Sequence, residues 1–326
     1  MQTVKRTRRS ASSSSDPVSS TRHRGEPVSQ QGHVPVLLHE VLDVLALKPD
    51  DVVVDATLGG AGHTQEIAAR LSEAGVVVGI DADAQAVARA RVALESVAPR
   101  VTLVQANFRT MQAVLRDAGI PAVTKVLFDL GWSGYQLADK RGFSFLADEP
   151  LIMTYADEPE KGAVTADMIV NSWAEESIAQ ILEGWGDERY SRRIARAIVE
   201  ARRRSPVKTA KELSDIVRRA VPRSYAFGKI HPATRTFQAL RIAVNDEFGA
   251  IREGLSGAWR MLAPGGRLAV ISFHSLEDRE VKHLMRSWET SGEGKHVTRS
   301  PLTPSTDEVK RNPRARSAKL RCIEKL

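Results

Sequence analysis

From Asp51 onward the chain alternates short, uninterrupted apolar runs with amphipathic stretches. "DVVVDA" leads to "TQEIAARLSEAG", "VVVGIDA" to "DAQAVARARVALESV" and "VTLVQANF" to "RTMQAVLRDAG", and the series ends on "TKVLFDLG". The apolar runs carry no polar alternation, as expected of strands covered on both faces. The pattern therefore predicts βαβαβαβ and a doubly wound parallel α/β sheet. Gly75 and Gly119 stand where helix C-caps are expected. After Gly131 the rhythm breaks. From Leu137 to Ala233 the sequence is helical and basic, with "EESIAQILEGWGDERYSRRIARAIVEARRR" and "TAKELSDIVRRAV" but no buried-strand run. The sheet pattern returns after a long helix around "FQALRIAVNDEFGAIREGL", with "LAPGGRLAVISFHS" as a buried strand and "SAKLRCIEKL" as the last. Residues 33–136 and 234–326 are thus expected to form one sheet domain, interrupted by a helical insertion over 137–233.

With 326 residues, 42% of them apolar, the chain has the material for such cores. No run approaches the ~18 consecutive apolar residues of a membrane span, and the first thirty positions lack a secretory h-region. A cytoplasmic protein with no membrane partner is expected. Residues 1–32 hold six basic and two acidic side chains in a Ser-rich stretch too polar to bury a core. They read as a disordered extension, although their Arg and Ser content also resembles a mitochondrial transit peptide. The lone Cys322 reads as packing, and eight scattered histidines without cysteine partners give no zinc pattern, so no metal is expected. Charge changes the picture further. Residues 186–229 hold thirteen basic and five acidic residues, and 310–326 hold seven and one, which points to a phosphate-rich partner. Arg192, Arg193, Arg196, Arg202, Arg203 and Arg204, with Arg314, Arg316 and Lys319, are the candidate phosphate contacts.

The loop after the first strand, "DATLGGAGHT", carries the candidate chemistry. Gly59, Gly60 and Gly62 leave a bare backbone at a helix N-terminus, where a ligand can approach closely. A dinucleotide fingerprint starting at Gly60 requires glycine at position 65, where Gln65 stands, so NAD is disfavoured. S-adenosylmethionine (SAM), which lacks a pyrophosphate, does not need that third glycine. Asp81, at the end of the second strand and nineteen residues after Gly62, is placed to accept hydrogen bonds from ribose hydroxyls, and Phe108 reads equally as flanking an adenine or as core packing.

Seven blocks in order, "HVPVLLHEVL", "DATLGGAGHT", "FDLGWSGYQL", "RGFSF", "HPATRTFQALRIAVN", "SFHSLEDREVK" and "NPRARSAKLR", resemble the RsmH/MraW family of bacterial 16S ribosomal RNA cytosine-N4 methyltransferases. The resemblance runs from His33 to Leu326. It implies a Rossmann-like class I SAM-dependent methyltransferase fold with an inserted helical domain, the region whose basic residues make it the candidate RNA-binding part. It also implies 16S rRNA or the small ribosomal subunit as partner, and a target cytosine at rRNA position 1402 in the decoding centre. Carried over by motif, the SAM contacts fall on Ala61, Gly62, His63, Asp81, Phe108, Asp129 and Gln136. The chain departs from the family pattern at Ala61, Trp132, Ile152 and Thr154. Ala61 replaces a glycine, so its backbone must avoid positive φ or bear strain.

A sulfonium methyl is already activated, so positioning is the main task. The cytosine amine is a poor nucleophile, and acceptors on its protons favour the reactive geometry. Asp129, at the end of the fourth strand, is the candidate catalytic residue, and Trp132 is weighed between core packing and stacking on the base. His274 is weighed as either a catalytic group or a structural hydrogen-bonding one. Two other functions remain open: a nicotinamide-dependent oxidoreductase, which shares the fold, and a non-catalytic ribosome-assembly factor. A homodimer is likewise left open.

Overall fold

The computed structural model describes residues 34–130, 140–155 and 162–326. The extension over 1–32, Trp132 and Gln136 lie outside the described residues.

Strands β1 (Val52–Asp55), β2 (Val76–Asp81), β3 (Arg100–Gln105) and β4 (Val123–Asp129) are separated by helices α2 (Gly62–Ala68), α3 (Ala84–Ala93) and α4 (Met111–Asp117), with α1 (Leu38–Leu45) ahead of them. The late strands are β5 (Leu262–Ser272), β6 (Gly294–His296) and β7 (Lys319–Lys325), and the seven pair in the order β3-β2-β1-β4-β5-β7-β6. β1 to β5 are parallel, whereas β7 runs antiparallel to both β5 and β6. Val53, Val77, Leu127 and Ala269 pack toward one face of the sheet, and their neighbours Val54, Val78, Phe128 and Val270 toward the other. Both faces are covered, which is why the strands read as unbroken apolar runs. The chain proceeds from β1 outward to β3 and then returns to lay β4 on the opposite side of β1. That reversal opens a crevice at the C-terminal strand ends. The architecture is the Rossmann-like class I methyltransferase fold.

The two glycine expectations part company. Gly119 has φ +70° and follows α4, with its N–H donating to Arg116 O and that of Ile120 to Leu115 O, a Schellman cap. Gly75 is not a cap. α2 ends at Ala68, and the following turn is captured by Ser72, whose N–H donates to Pro49 O, so Gly75 sits in the turn entering β2. A Cβ there would stand 2.9 Å from Leu71 Cβ and 3.0 Å from Pro49 O, so close packing accounts for the glycine.

Helices α5 (Ala166–Ser172), α6 (Glu175–Gly186), α7 (Ser191–Arg202), α8 (Ala210–Ala220) and α9 (Arg223–Ala226) pack around a core of their own that includes Ile169, Leu182, Ile198 and Leu213. α7 shows how the sequence specifies this. Ile194, Ala195, Ile198 and Val199 form a buried stripe at helical spacing, while Arg192, Arg193 and Arg196 occupy the exposed face. Thr209 and Glu212 start α8 with a reciprocal capping box. Helix α10 (Thr234–Asn245) joins the two cores, with Phe237 and Leu240 in the helical one and Ile242 in the sheet one. α11 (Glu247–Met261), α12 (Ser275–Thr290) and the short α13 (Thr306–Arg311) complete the described helices.

Candidate active site

β1 ends in a carboxylate that organises its own loop. Asp55 Oδ2 accepts the Thr64 hydroxyl at 2.6 Å and Oδ1 accepts the Thr57 N–H at 3.1 Å, so both ends of the glycine loop are tied to one buried group. Burial raises the Asp55 carboxyl above its ordinary value despite those bonds. Thr57 continues the linkage, its hydroxyl oxygen accepting the Asp129 N–H at 2.7 Å across the β1–β4 reversal. Gly59, at φ +50°, donates its N–H to Asp81 Oδ2 at 2.8 Å, and the other Asp81 oxygen accepts the Asp83 N–H at 2.9 Å. Two backbone donors thus fix the Asp81 carboxylate, and burial raises its pKa as well.

Above these groups lies an open cleft. Thr57, Gly59, Asp81, Phe108, Asp129 and Leu130 line its sheet side. Phe108 is half-buried, edge-on to Phe128 with ring centroids 5.5 Å apart, and presses on Gly254, where a Cβ would come within 2.6 Å of its ring. Of the residues expected from sequence, the structure brings Asp81, Phe108 and Asp129 together here. Ala61, Gly62 and His63 stand behind the lining. Ala61 is fully buried at φ +59°, so it takes the strained alternative, at about 1–2 kcal/mol for an L-residue in the left-handed region. Gly62 backs onto the Pro35 ring. His63 is buried, with Nε2 2.9 Å from Val36 O and Nδ1 3.7 Å from Asp129 Oδ2.

The opposite wall was not anticipated. Tyr155, Asn245, Glu247, Ile251 and Glu277 line it. The Tyr155 hydroxyl donates to Glu247 Oε1 at 2.8 Å, and Arg241 grips both Glu247 oxygens at 2.7 and 2.9 Å. Asn245 accepts the Tyr155 N–H and donates to Met153 O, each at 2.8 Å, which holds Met153 at φ +58°. Burial, reinforced by Glu247, pushes the Tyr155 hydroxyl well above its ordinary pKa. The one sequence signal is that the polar Asn245 and Glu247 interrupt an apolar run at a helix junction.

Burial alone would raise the Glu277 carboxyl, but His274 and Arg241 outweigh it and hold it below its ordinary value. His274 is structural: its Nδ1 accepts the Glu277 N–H, Glu277 Oε2 accepts the His274 N–H, and the pair caps α12. Ligand atoms of Glu247, His274 and Glu277 lie within 4.8 Å of one another, yet Arg241, Tyr155 and backbone N–H groups already occupy the carboxylates. The donor set fits a hydrogen-bond network better than a metal ion.

Among the candidate RNA contacts, Arg192, Arg193, Arg196, Arg203, Arg204, Arg314 and Arg316 are exposed. Arg202 instead turns inward to Val170 O at 2.8 Å and Trp173 O at 2.6 Å, and Lys319 pairs with Asp278 at 3.0 Å. Cys322 is buried within β7, its thiol pushed by burial up to about 12.

The sequence profile of the MraW methylase family matches residues 30–326. The ribosomal RNA small subunit methyltransferase H of Paenibacillus sp. (strain JDR-2) is 44% identical over 316 residues, covering 90% of this chain and 99% of that protein. The protein of the same name from Deinococcus deserti is 48% identical over 297 residues, covering 90% and 93%. Among solved structures, an rRNA methylase from Streptococcus thermophilus aligns over 90% of this chain and 99% of its own at 13% identity, with a TM-score of 0.43.

Proposed function

The chain belongs to the MraW methylase family, and from that we propose that it methylates the N4 amine of a cytosine in small-subunit ribosomal RNA, the decoding-centre position that the sequence resemblance implies. It is a SAM-dependent methyltransferase. The residues present fit that cofactor. Asp81 offers a fixed carboxylate for a ribose diol, Phe108 and Asn107 flank the place of a purine, and at Gly59 a side chain would enter open cleft space. Bound SAM supplies an electrophilic methyl group, activated by its sulfonium charge.

The chain's own groups then have to bring an amine into line and take up its protons. Asp129 accepts from the cytosine amine, which draws the nitrogen lone pair out of conjugation and meets the charge that develops. Opposite it, Tyr155 and Glu247 wall off water and set the angle at which the base enters. Residues 33–136 and 234–326 act as the SAM-binding domain, and 137–233 as the part that grips RNA in the cytoplasm. The observation that carries this reading is the meeting of Asp81 and Asp129 in one cleft across the β1–β4 reversal.

Incubating the protein with methyl-labelled SAM and unmethylated small subunits, then mapping the label, tests it. Label on the N4 of one decoding-centre cytosine is expected. Label on another nucleotide, or none, rejects the assignment.

A further inference from the structure

Large apolar side chains and cations are exposed together in the helical part of the molecule. Phe227 is 81% exposed, Leu146 75% and Ile230 61%. They come from separate stretches of chain that a ring stack brings together: Phe145 lies flat on His231, centroids 4.4 Å apart and planes 7° from parallel. Leu146 and Ile230 are the chain neighbours of those two rings, and Phe227 follows α9 three residues earlier. Single exposed apolar residues are ordinary, but a convergent group marks an interaction surface. Its charge is predominantly positive, with Asp148 exposed two residues from Leu146 and Asp215 paired to Arg218 at 2.8 Å. Between Ile216 and Asn245 the chain has six arginines and lysines and no acid, and Arg218, Arg219, Arg223 and Lys229 are exposed.

Ring contacts through the buried Phe143 link this patch to the cleft. Phe143 stacks on Tyr155 with centroids 6.0 Å apart, Tyr155 lines the cleft, and Phe145 lies edge-on to Phe237. One short segment, Arg141 to Tyr155, therefore runs from the cleft wall to the half-buried Phe145–His231 stack and the exposed Leu146 beside it. An unpaired nucleotide strand uses apolar and aromatic faces for its bases and cations for its phosphates. A second copy of this chain is disfavoured as occupant, because a two-fold contact would set these cations against themselves.

We propose that the patch formed by Phe227, Leu146 and Ile230 holds unpaired nucleotides next to the methylated base, stacking their bases while Arg223 and Lys229 neutralise their phosphates. The proposal rests on the assignment of the chain as an rRNA methyltransferase.

The test uses the full chain with Phe227→Ala and Ile230→Ser combined, and Phe227→Tyr as the conservative variant. Methyl transfer is followed against the concentration of unmethylated small subunits. The double variant should need about tenfold more subunit for half-maximal rate, as loss of base stacking predicts, with the maximal rate and SAM affinity unchanged. Phe227→Tyr should match wild type. In parallel, a ten-nucleotide oligouridine is compared with an abasic strand of equal charge. Wild type should prefer the oligouridine, and the double variant should lose that preference while still binding the abasic strand. An unchanged subunit dependence overturns the proposal, and so does equal weakening toward both strands. A shift in oligomeric state on sedimentation overturns it in favour of a second copy. If wild type itself transfers no methyl group to the subunits, the functional assignment fails instead.

Discussion

His63 Nδ1 stands 3.7 Å from Asp129 Oδ2, so the start of α2 is coupled to the end of β4. The ring is held from its far side by Val36 O at 2.9 Å, and the Asp129 backbone by the Thr57 hydroxyl at 2.7 Å. The Asp129 main chain is therefore fixed, and its carboxylate stands beside the buried His63 ring at the cleft, where it can accept from an amine. Asp129→Ala should lower the rate of methyl transfer about a hundredfold, the scale for losing one preorganised polar group. Single-turnover transfer at saturating SAM measures this, and an undiminished rate would remove Asp129 from the chemistry.

Asp81 is predicted to govern cofactor affinity. Asp81→Asn removes the charge that a ribose diol would meet and loosens the Gly59 N–H, so SAM should bind roughly ten- to a hundredfold more weakly. Calorimetric titration reads this directly. An unchanged dissociation constant would place the ribose elsewhere.

Gly254→Ala probes the same site from behind. The added Cβ would lie 2.6 Å from the Phe108 ring, which must move toward the cleft. Overpacking of this kind costs about 1–3 kcal/mol, and SAM affinity should fall with it. Urea unfolding and SAM titration of the one variant separate the two effects.

The Arg241–Glu247 pair should dominate local stability. Both side chains are nearly buried, and Arg241→Met would leave the Glu247 carboxylate without its counter-charge. Such a break costs about 3–5 kcal/mol, whereas replacing both partners with apolar residues is far milder. Urea midpoints for Arg241→Met and for Arg241→Met with Glu247→Leu should differ in that order.

Asp278 gives the molecule an acid-sensitive joint between α12 and β7. Burial alone would raise its carboxyl, but hydrogen bonds from Arg321 and Lys319 outweigh burial and hold it below 3.8. A depressed carboxyl contributes stability above its unfolded pKa and loses that contribution as pH falls through its folded value. The stability gap between wild type and Asp278→Asn should therefore be constant above about pH 5 and close below about pH 4. Urea midpoints measured across that range check it.

The sheet and half of the cleft were legible because they depend on local pattern. β1 to β4 announce themselves as unbroken apolar runs, and Asp81, Phe108 and Asp129 each sit just at or after a strand end, where an open sheet places its ligands. The other wall was not legible. Tyr155 meets Asn245 and Glu247 only after some ninety intervening residues have folded into helices, and no spacing rule records such a meeting. β6 is three residues long with no apolar side chain, too short to show a period, and nothing in "KLRCIEK" states that β7 runs against its neighbour. Gly75 misled because a glycine demanded by close packing looks, in sequence, like one demanded by a cap.

Helix α10 works as a common axle. Its twelve residues span about 18 Å, with Phe237 seated among the basic helices, Ile242 seated on the sheet, and Asn245 at its tip latched to the strap that carries Tyr155. A rod rooted in both cores and tied at its tip to the cleft wall makes the packing of the outer helices and the shape of the cleft mouth one mechanical unit.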